Sequence, residues 1–558
     1  MSTTPSRVLK GLASLLAALA IVAYVGYLIV YVVYAVELFQ WPFDYDQGEG
    51  FELYDAILYS RGEWPYRDSA RFPFYASNYP PVFHLLIVPL LPIFGPRLIA
   101  GRLLSFIATL IAAGTIFIVV RRNIGNREQR GLGGWFIPLM SGLGFLASNY
   151  VYQIGPLCRM HMTLVMFETL AIAFVGEFQH TEHGTRNLIL GVVMLFLAGY
   201  TKQTAVFTVA AALSHIFLRD IRKALLAGAG LALAAGSVFW LVNLATNGSW
   251  WVNIIQANVN EFDYRQSLFL FEQWLRLHTV FVLLAGGYFV FELFWGRLSV
   301  YSLWFFFALG VGALSGKWGA GFGYFTTAVA AACLASGLCL GKLWEKAPTS
   351  SLFGPGLRIR IWRLLGLVIP LAYLLQAPRM LHLPTSGAFF GPLSRALGVD
   401  NKLVYGRGEH LVSTHCAPVE YYDAIGYTQL GHPLGPEDYA GGAKIMSYVL
   451  AADGPVLSEE AMFSLLAGKP VVTNPTQLLN LYNNDLLATA EIVDRVNQQA
   501  FDLVIFRAQF YPPPVLQAVG QNYRPVDQVC MNGFTYHILW PGHRPGSAPR
   551  LSRAAPAR

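Results

Sequence analysis

The chain has 558 residues, of which 55% are hydrophobic, 14% aromatic and 13% charged, against the roughly 25% charged residues of soluble domains. That composition excludes an ordinary soluble enzyme and marks an integral membrane protein. The net charge of +7 does not point to nucleic acid as a partner, because Lys and Arg fall in short clusters between apolar runs, as they do beside membrane spans.

The first apolar run, residues 11–38, is too long for a signal-peptide core and no small-residue cleavage site follows it, so it reads as an uncleaved anchor. Arg7 and Lys10 precede it and acids follow it, which places the N-terminus in the cytoplasm and the loop 38–81 outside. This loop gathers Asp44, Asp46, Glu49, Glu52 and Asp55 at the membrane surface. The next run, 82–94, contains Pro89 and Pro92 and is too short to cross, so it reads as an interfacial or re-entrant helix. The run 98–120 ends in Arg121, Arg122, Arg127 and Arg130, a cytoplasmic cluster that would fall outside if 82–94 crossed.

Apolar runs at 135–150, 157–175, 188–200, 205–218 and 224–244 then alternate, with Arg186 and with Arg219, Arg222 and Lys223 on the inner side. A second outer loop, 247–266, carries Trp250, Trp251, Glu261 and Asp263, an interfacial composition that helps close the outer face. Runs at 280–294, 300–314 and 324–340 follow, then the basic residues Lys342, Lys346, Arg358, Arg360 and Arg363, and a last crossing at 364–375. About eleven spans result, an odd number that puts the remainder outside.

The expected organisation is a transmembrane module over 1–378, an outer soluble α/β domain over 379–541 and a disordered Pro-, Ala- and Arg-rich tail over 542–558. Strand-like runs at 455–457, 470–473, 503–506, 523–529 and 535–539 alternate with helical stretches at 459–466 and 492–499. Ser458 reads as a helix cap with Glu459 and Glu460 in the first turn. Of five cysteines, only Cys416 and Cys530 lie outside apolar segments, and a disulfide between them is open. Metal sites at His410, His415 and Cys416, or at His180 and His183, rest on isolated spacings and are set aside.

Acids at a bilayer surface suit glycosyl transfer from a lipid carrier: a carboxylate deprotonates an acceptor hydroxyl while cations hold the departing phosphate. The plain alternative is that the acids only solvate a loop, and Glu52 and Asp55 read as helix-surface residues. The cations at outer ends of spans are Lys202 in GYTKQTAVF, Arg159 in GPLCRMHM, Arg102 in LIAGRLLSF and Lys317 in SGKWGAGFGYF. Each alone could snorkel or pair structurally, but four on one face favour an anion site. His84 and His161 read as hydrogen-bonded interfacial histidines, with orientation of a phosphate or of the loop as the alternative for His84.

These features in order resemble the bacterial GT-C membrane glycosyltransferases related to protein O-mannosyltransferases and to the aminoarabinose transferases of lipid A. The likeness rests on DYDQGEGFELYDAILYSRGEWPYRD, YPPVFHLLIVPLLPIFGPRLIAGRLLSF, GPLCRMHMTLVM, YTKQTAVF and GKWGAGFGYF. It implies a polytopic α-helical membrane protein of GT-C type that takes a sugar from a polyprenyl phosphate by inverting displacement. It also implies a first-loop acid as base, with Asp46 the preferred match and Asp44 and Glu49 as alternates. The chain departs from the family at Tyr79, where Lys or His is usual, at His161, where Asp is usual, and at Gly323, before Tyr324 and Phe325, where Asn is usual. The implied partners are a polyprenyl-phosphate-linked sugar, a lipid or glycan acceptor and membrane lipids. No cofactor is called for, and a divalent metal is left open. A lipid-linked sugar binder or flippase would need the same cations but no base, and a transporter would need an inverted repeat that the apolar pattern does not show.

Overall fold

The computed structural model describes residues 4–124, 133–179, 182–346, 355–380, 390–397 and 434–542. Each of the eleven apolar runs lies on a helix, from Thr4–Gln40 and Ile99–Asn123 through His161–Gly176 and Thr326–Lys346 to Pro355–Met380. Among the described residues, Val8–Gln40, Ile99–Asn123, Ile221–Ala245 and Phe322–Glu345 are each long and apolar enough to cross a bilayer. Others, such as His161–Gly176 and Gly184–Gly199, are shorter apolar helices. The Ile221–Ala245 helix leaves Leu225, Leu226, Leu233 and Trp240 on its outer surface, as a lipid-facing helix does. The protein is a multi-pass helical membrane protein.

Two segments depart from simple crossings. Residues 82–94 form Val82–Ile87, a 3-10 turn at Val88–Leu90 and Leu91–Phe94, because Pro89 and Pro92 each remove a backbone donor. Tyr264–Leu277 meets Thr279–Trp295 at 97°, so the second loop ends in a helix lying across the bundle. Within that loop Trp250 is buried against Tyr66 and Tyr200, whereas Trp251 is exposed.

Polar and charged groups gather at the two ends of the bundle, with Glu168 between them, held by Thr208 and Thr327. Asn123, Arg219 and Lys342, with Glu177 and Glu292, surround a cavity at one end, and Lys342 pairs with Glu292 at 2.9 Å. The His161–Gly176 helix, about 24 Å long, has Gly176 in that cavity and His161 in a different one at its other end. The first loop gathers at that second end.

The C-terminal region builds a four-stranded sheet from β1 (Val456–Ser458), β2 (Leu503–Phe506), β3 (Tyr523–Met531) and β4 (Phe534–Pro541), in the order β1-β2-β4-β3. β1 and β2 are parallel, and the other two pairings are antiparallel. The segment expected as a strand at 470–473 is not one, but Thr473 bridges Phe74 and so ties this region to the first loop. Ser458 ends β1 rather than capping a helix, and the following helix is Ala461–Leu466. Its amide at Met462 is capped instead by Asp44, 418 residues away. Cys530 is disulfide-bonded. Cys416, His180, His410, His415, Arg127, Arg130 and most of the tail lie outside the described residues.

Candidate functional site

The first-loop acids owe their positions to one short helix. Glu49–Ser60 begins after Gly48 and carries Glu49, Glu52 and Asp55 at intervals of three, which places them along one stripe. All three are buried, which corrects the surface reading of Glu52 and Asp55. Gly48 makes room for the guanidinium: a Cβ there would lie 1.7 Å from Arg159 Nη1, so a side chain at this position would push Arg159 from its place beside the acids.

Glu49 and Arg102 form a closed unit. Arg102 Nε and Nη2 donate to the two Glu49 oxygens at 2.9 and 2.7 Å. Its remaining donors go to the carbonyls of Leu38, Trp41 (2.6 Å) and Phe43 (2.9 Å). Glu49 also accepts the amides of Cys158, Tyr45 and Asp46. Burial pushes its carboxyl up, but Arg102 and these amides outweigh that and hold it below the usual range. Arg102, expected near the donor phosphate, has no donor left to offer one. Asp44 accepts the amides of Gly50 and Met462 and faces Glu460, so it too is turned away from the cavity, and burial, then Glu460, pushes it up.

Asp46 stands differently. It lines a cavity of about 110 Å³ together with Glu52, Tyr79, Arg159, His161, Lys202 and Tyr324. A second cavity, of about 270 Å³, shares Tyr79, Lys202 and Tyr324 with the first and adds Lys317. Asp46 Oδ2 lies 3.1 Å from Arg159 Nε, whose N–H makes no aligned hydrogen bond, so the carboxylate keeps its accepting capacity. Burial pushes the Asp46 carboxyl up, with Arg159 opposing. Lys202 Nζ lies 2.8 Å from His161 Nε2 and 4.6 Å from the centre of the Tyr324 ring. Burial, then Arg159, lowers the Lys202 ammonium to about 7. Gly323, where the family has Asn, leaves room for His161: a Cβ there would sit 3.2 Å from the ring. Tyr79 lies about equally far from Arg159 and Lys202, at 6.0 and 5.9 Å. Lys317 donates to the Asn258 carbonyl at 2.6 Å.

His84 lies behind this wall. Its Nε2 is 2.6 Å from Glu52 Oε2 and 3.6 Å from Asp55 Oδ2. These three side chains have ligand atoms within 4.8 Å of one another, a spacing that suits a metal. Glu52 is already paired with Arg159 at 3.3 Å, however, so one of the two carboxylates is committed to a guanidinium and the set fits an ion-paired histidine better.

The C-terminal region supplies residues that the sequence did not single out. Asn474 and Thr476 line the cavity, Gln47 donates to the Glu459 carbonyl, and Asn532 donates to the Tyr45 carbonyl. Arg507 is buried, pairs with Glu460 at 2.6 Å and acts on Asp46 from behind. No adjacent charge pattern marks these positions, but the three-residue spacing of Glu49, Glu52 and Asp55 could have flagged Glu52.

No family model and no curated protein matches the chain. Solved structures do. ArnT from Cupriavidus metallidurans bound to undecaprenyl phosphate superposes with a TM-score of 0.56 at 14% identity, covering 93% of this chain and 97% of that one. The chain has the GT-C fold. The apo state of the same ArnT gives 0.54 at 13% identity, covering 92% and 98%. The Archaeoglobus fulgidus oligosaccharyltransferase in its apo form gives 0.46 at 12% identity, covering 89% and 73%. In this GT-C chain the sequence motifs of the first loop, the arginine turn and KQT meet at one cavity.

Proposed function

We propose that the chain is a membrane glycosyltransferase that moves a sugar from a polyprenyl-phosphate donor to a lipid or glycan acceptor at the outer face of the membrane. The observation that carries this reading is that a buried carboxylate, Asp46, and a buried lysine, Lys202, line one cavity. Lys202 belongs to both adjoining cavities, so a phosphate beside it has its sugar directed toward Asp46. Asp46 takes the proton of the acceptor hydroxyl, the acceptor oxygen bonds to the anomeric carbon, and the bond from that carbon to the phosphate oxygen breaks. Lys202 and Arg159 stabilise the charge that develops on the departing phosphate. The likeness to an ArnT bound to undecaprenyl phosphate supports the donor class.

The test is release of polyprenyl phosphate from a synthetic polyprenyl-phosphate sugar by the purified chain in nanodiscs, with membrane glycolipids as acceptors. Donor binding without turnover, unchanged by Asp46→Asn, would instead identify a lipid-linked sugar binder.

A further inference from the structure

We infer that His84 is a positioning residue for Asp46, acting through a chain of alternating charges that runs Asp55, His84, Glu52, Arg159, Asp46. The inference rests on Asp46 being the group that matters in the cavity. The links are continuous: 3.6 Å from Asp55 to His84, 2.6 Å to Glu52, 3.3 Å to Arg159 and 3.1 Å to Asp46. The side chains of Asp55, His84 and Glu52 are at most 3% exposed, so water does not screen the two links of His84, while Arg159 and Asp46 face the cavity. The chain is pinned at Asp55 and at Arg159. Tyr75 donates to Asp55 Oδ1 at 2.7 Å, and Ser105 donates to the Arg159 carbonyl at 2.9 Å.

Arg159 is shared. One guanidinium serves two carboxylates, and what it gives to Glu52 it withholds from Asp46. His84 Nε2 occupies the far oxygen of Glu52 and so weakens the hold of Glu52 on Arg159. The charged groups facing His84 are Glu52 and Asp55, both from Glu49–Ser60, and Tyr59 of the same helix stacks on its ring. The Ile99–Asn123 helix also packs against Val82–Ile87, but its Arg102 is taken up by Glu49. Glu49 and Arg507 also act on Asp46, and neither belongs to this chain of charges. Without His84, Glu52 turns its full charge on Arg159, and Asp46 loses part of that cation. Without the Glu52 charge, Arg159 goes wholly to Asp46. The two losses therefore move Asp46 in opposite directions.

The experiment is an infrared pH titration of the full chain in nanodiscs, with the Asp46 carboxyl band assigned by its loss in Asp46→Asn. His84→Gln should raise the Asp46 midpoint and Glu52→Gln should lower it, each by about one pH unit, the lower end of what an opposite charge does at this range. No shift in either variant, or shifts in the same direction, would overturn the inference. So would a wild-type midpoint that moves on adding Zn²⁺ or a chelator, because the three residues would then be ligands. Should His84→Gln fail to fold, Glu52→Gln decides when made both in wild type and in Arg159→Met: the fall should largely vanish without Arg159, and an undiminished fall, which is direct repulsion between the two carboxylates, would overturn the inference. Transfer measured against pH separates the two ideas. If the infrared midpoints move as stated and the acid limb of transfer does not follow, the base assignment fails while the positioning chain stands.

Discussion

Glu49 and Asp46 stand three residues apart, each beside an arginine, and end in opposite situations. Arg102 spends every donor on Glu49 and three backbone carbonyls, so this pair joins the first loop to the neighbouring helices and has nothing left for a ligand. Arg159 divides itself between Asp46 and Glu52 and faces a cavity. An acid–arginine pair is thus closed to a ligand or open to one according to whether its hydrogen bonds are saturated, and the open pair is also the less buried one.

Removal of each acid in turn has the largest expected effect. Asp46→Asn should lower transfer by about 10²–10⁴-fold with donor affinity kept, as measured by polyprenyl phosphate release and donor binding. An equal loss in Glu49→Gln at unchanged stability would erase the distinction. Arg102→Met should cost about 3–5 kcal/mol of stability, because it strands a buried carboxylate, and thermal unfolding in detergent reads it. Transfer per folded molecule should change little.

Lys202→Met should weaken donor binding by about tenfold to a hundredfold, the worth of a charge-assisted hydrogen bond, readable by calorimetry with a donor analogue. The proposed donor, a polyprenyl-phosphate sugar, is a phosphodiester of constant charge, so the pH dependence of its binding reports the protein. With Lys202 near 7 in the empty site, a bound phosphate raises its pKa, and binding takes up a proton. Below pH 7 the lysine is already charged and affinity is flat. Above pH 7 affinity falls by about tenfold per unit until the bound-state pKa is reached, and Lys202→Met should abolish that slope. Lys317→Met should have the smallest effect, within about fivefold in donor affinity, because its ammonium is held by the Asn258 carbonyl.

The helices were legible because apolar runs broken by basic clusters admit few foldings in a bilayer, and each run indeed lies on a helix. Lys202 and Arg159 stood out as charges at the ends of apolar runs and do line one cavity, whereas Asp46 was one of three acids that the resemblance offered. What the sequence hid was saturation: nothing in LIAGRLLSF tells Arg102 from Arg159, since the carbonyls of Leu38, Trp41 and Phe43 come from another segment. Glu52 and Asp55 looked like surface residues because their partner, His84, lies beyond a long loop. Asn474, Thr476 and Arg507 carry no local signal, for their role depends on how the C-terminal region packs on the first loop. The capping of Ala461–Leu466 by Asp44, rather than by Ser458, is hidden for the same reason.

That last contact also bears on how the protein is made. The Asp44 carboxylate meets the Met462 amide across 418 residues of sequence, and Asn474 and Thr476 follow only later. A ribosome working from the N-terminus inserts every membrane helix before either end of this contact can close. The acids of the first loop therefore wait through nearly the whole of synthesis without the groups that enclose them. Maturation of the cavity is a late assembly step, and a chain released early would carry its membrane helices and an unfinished site.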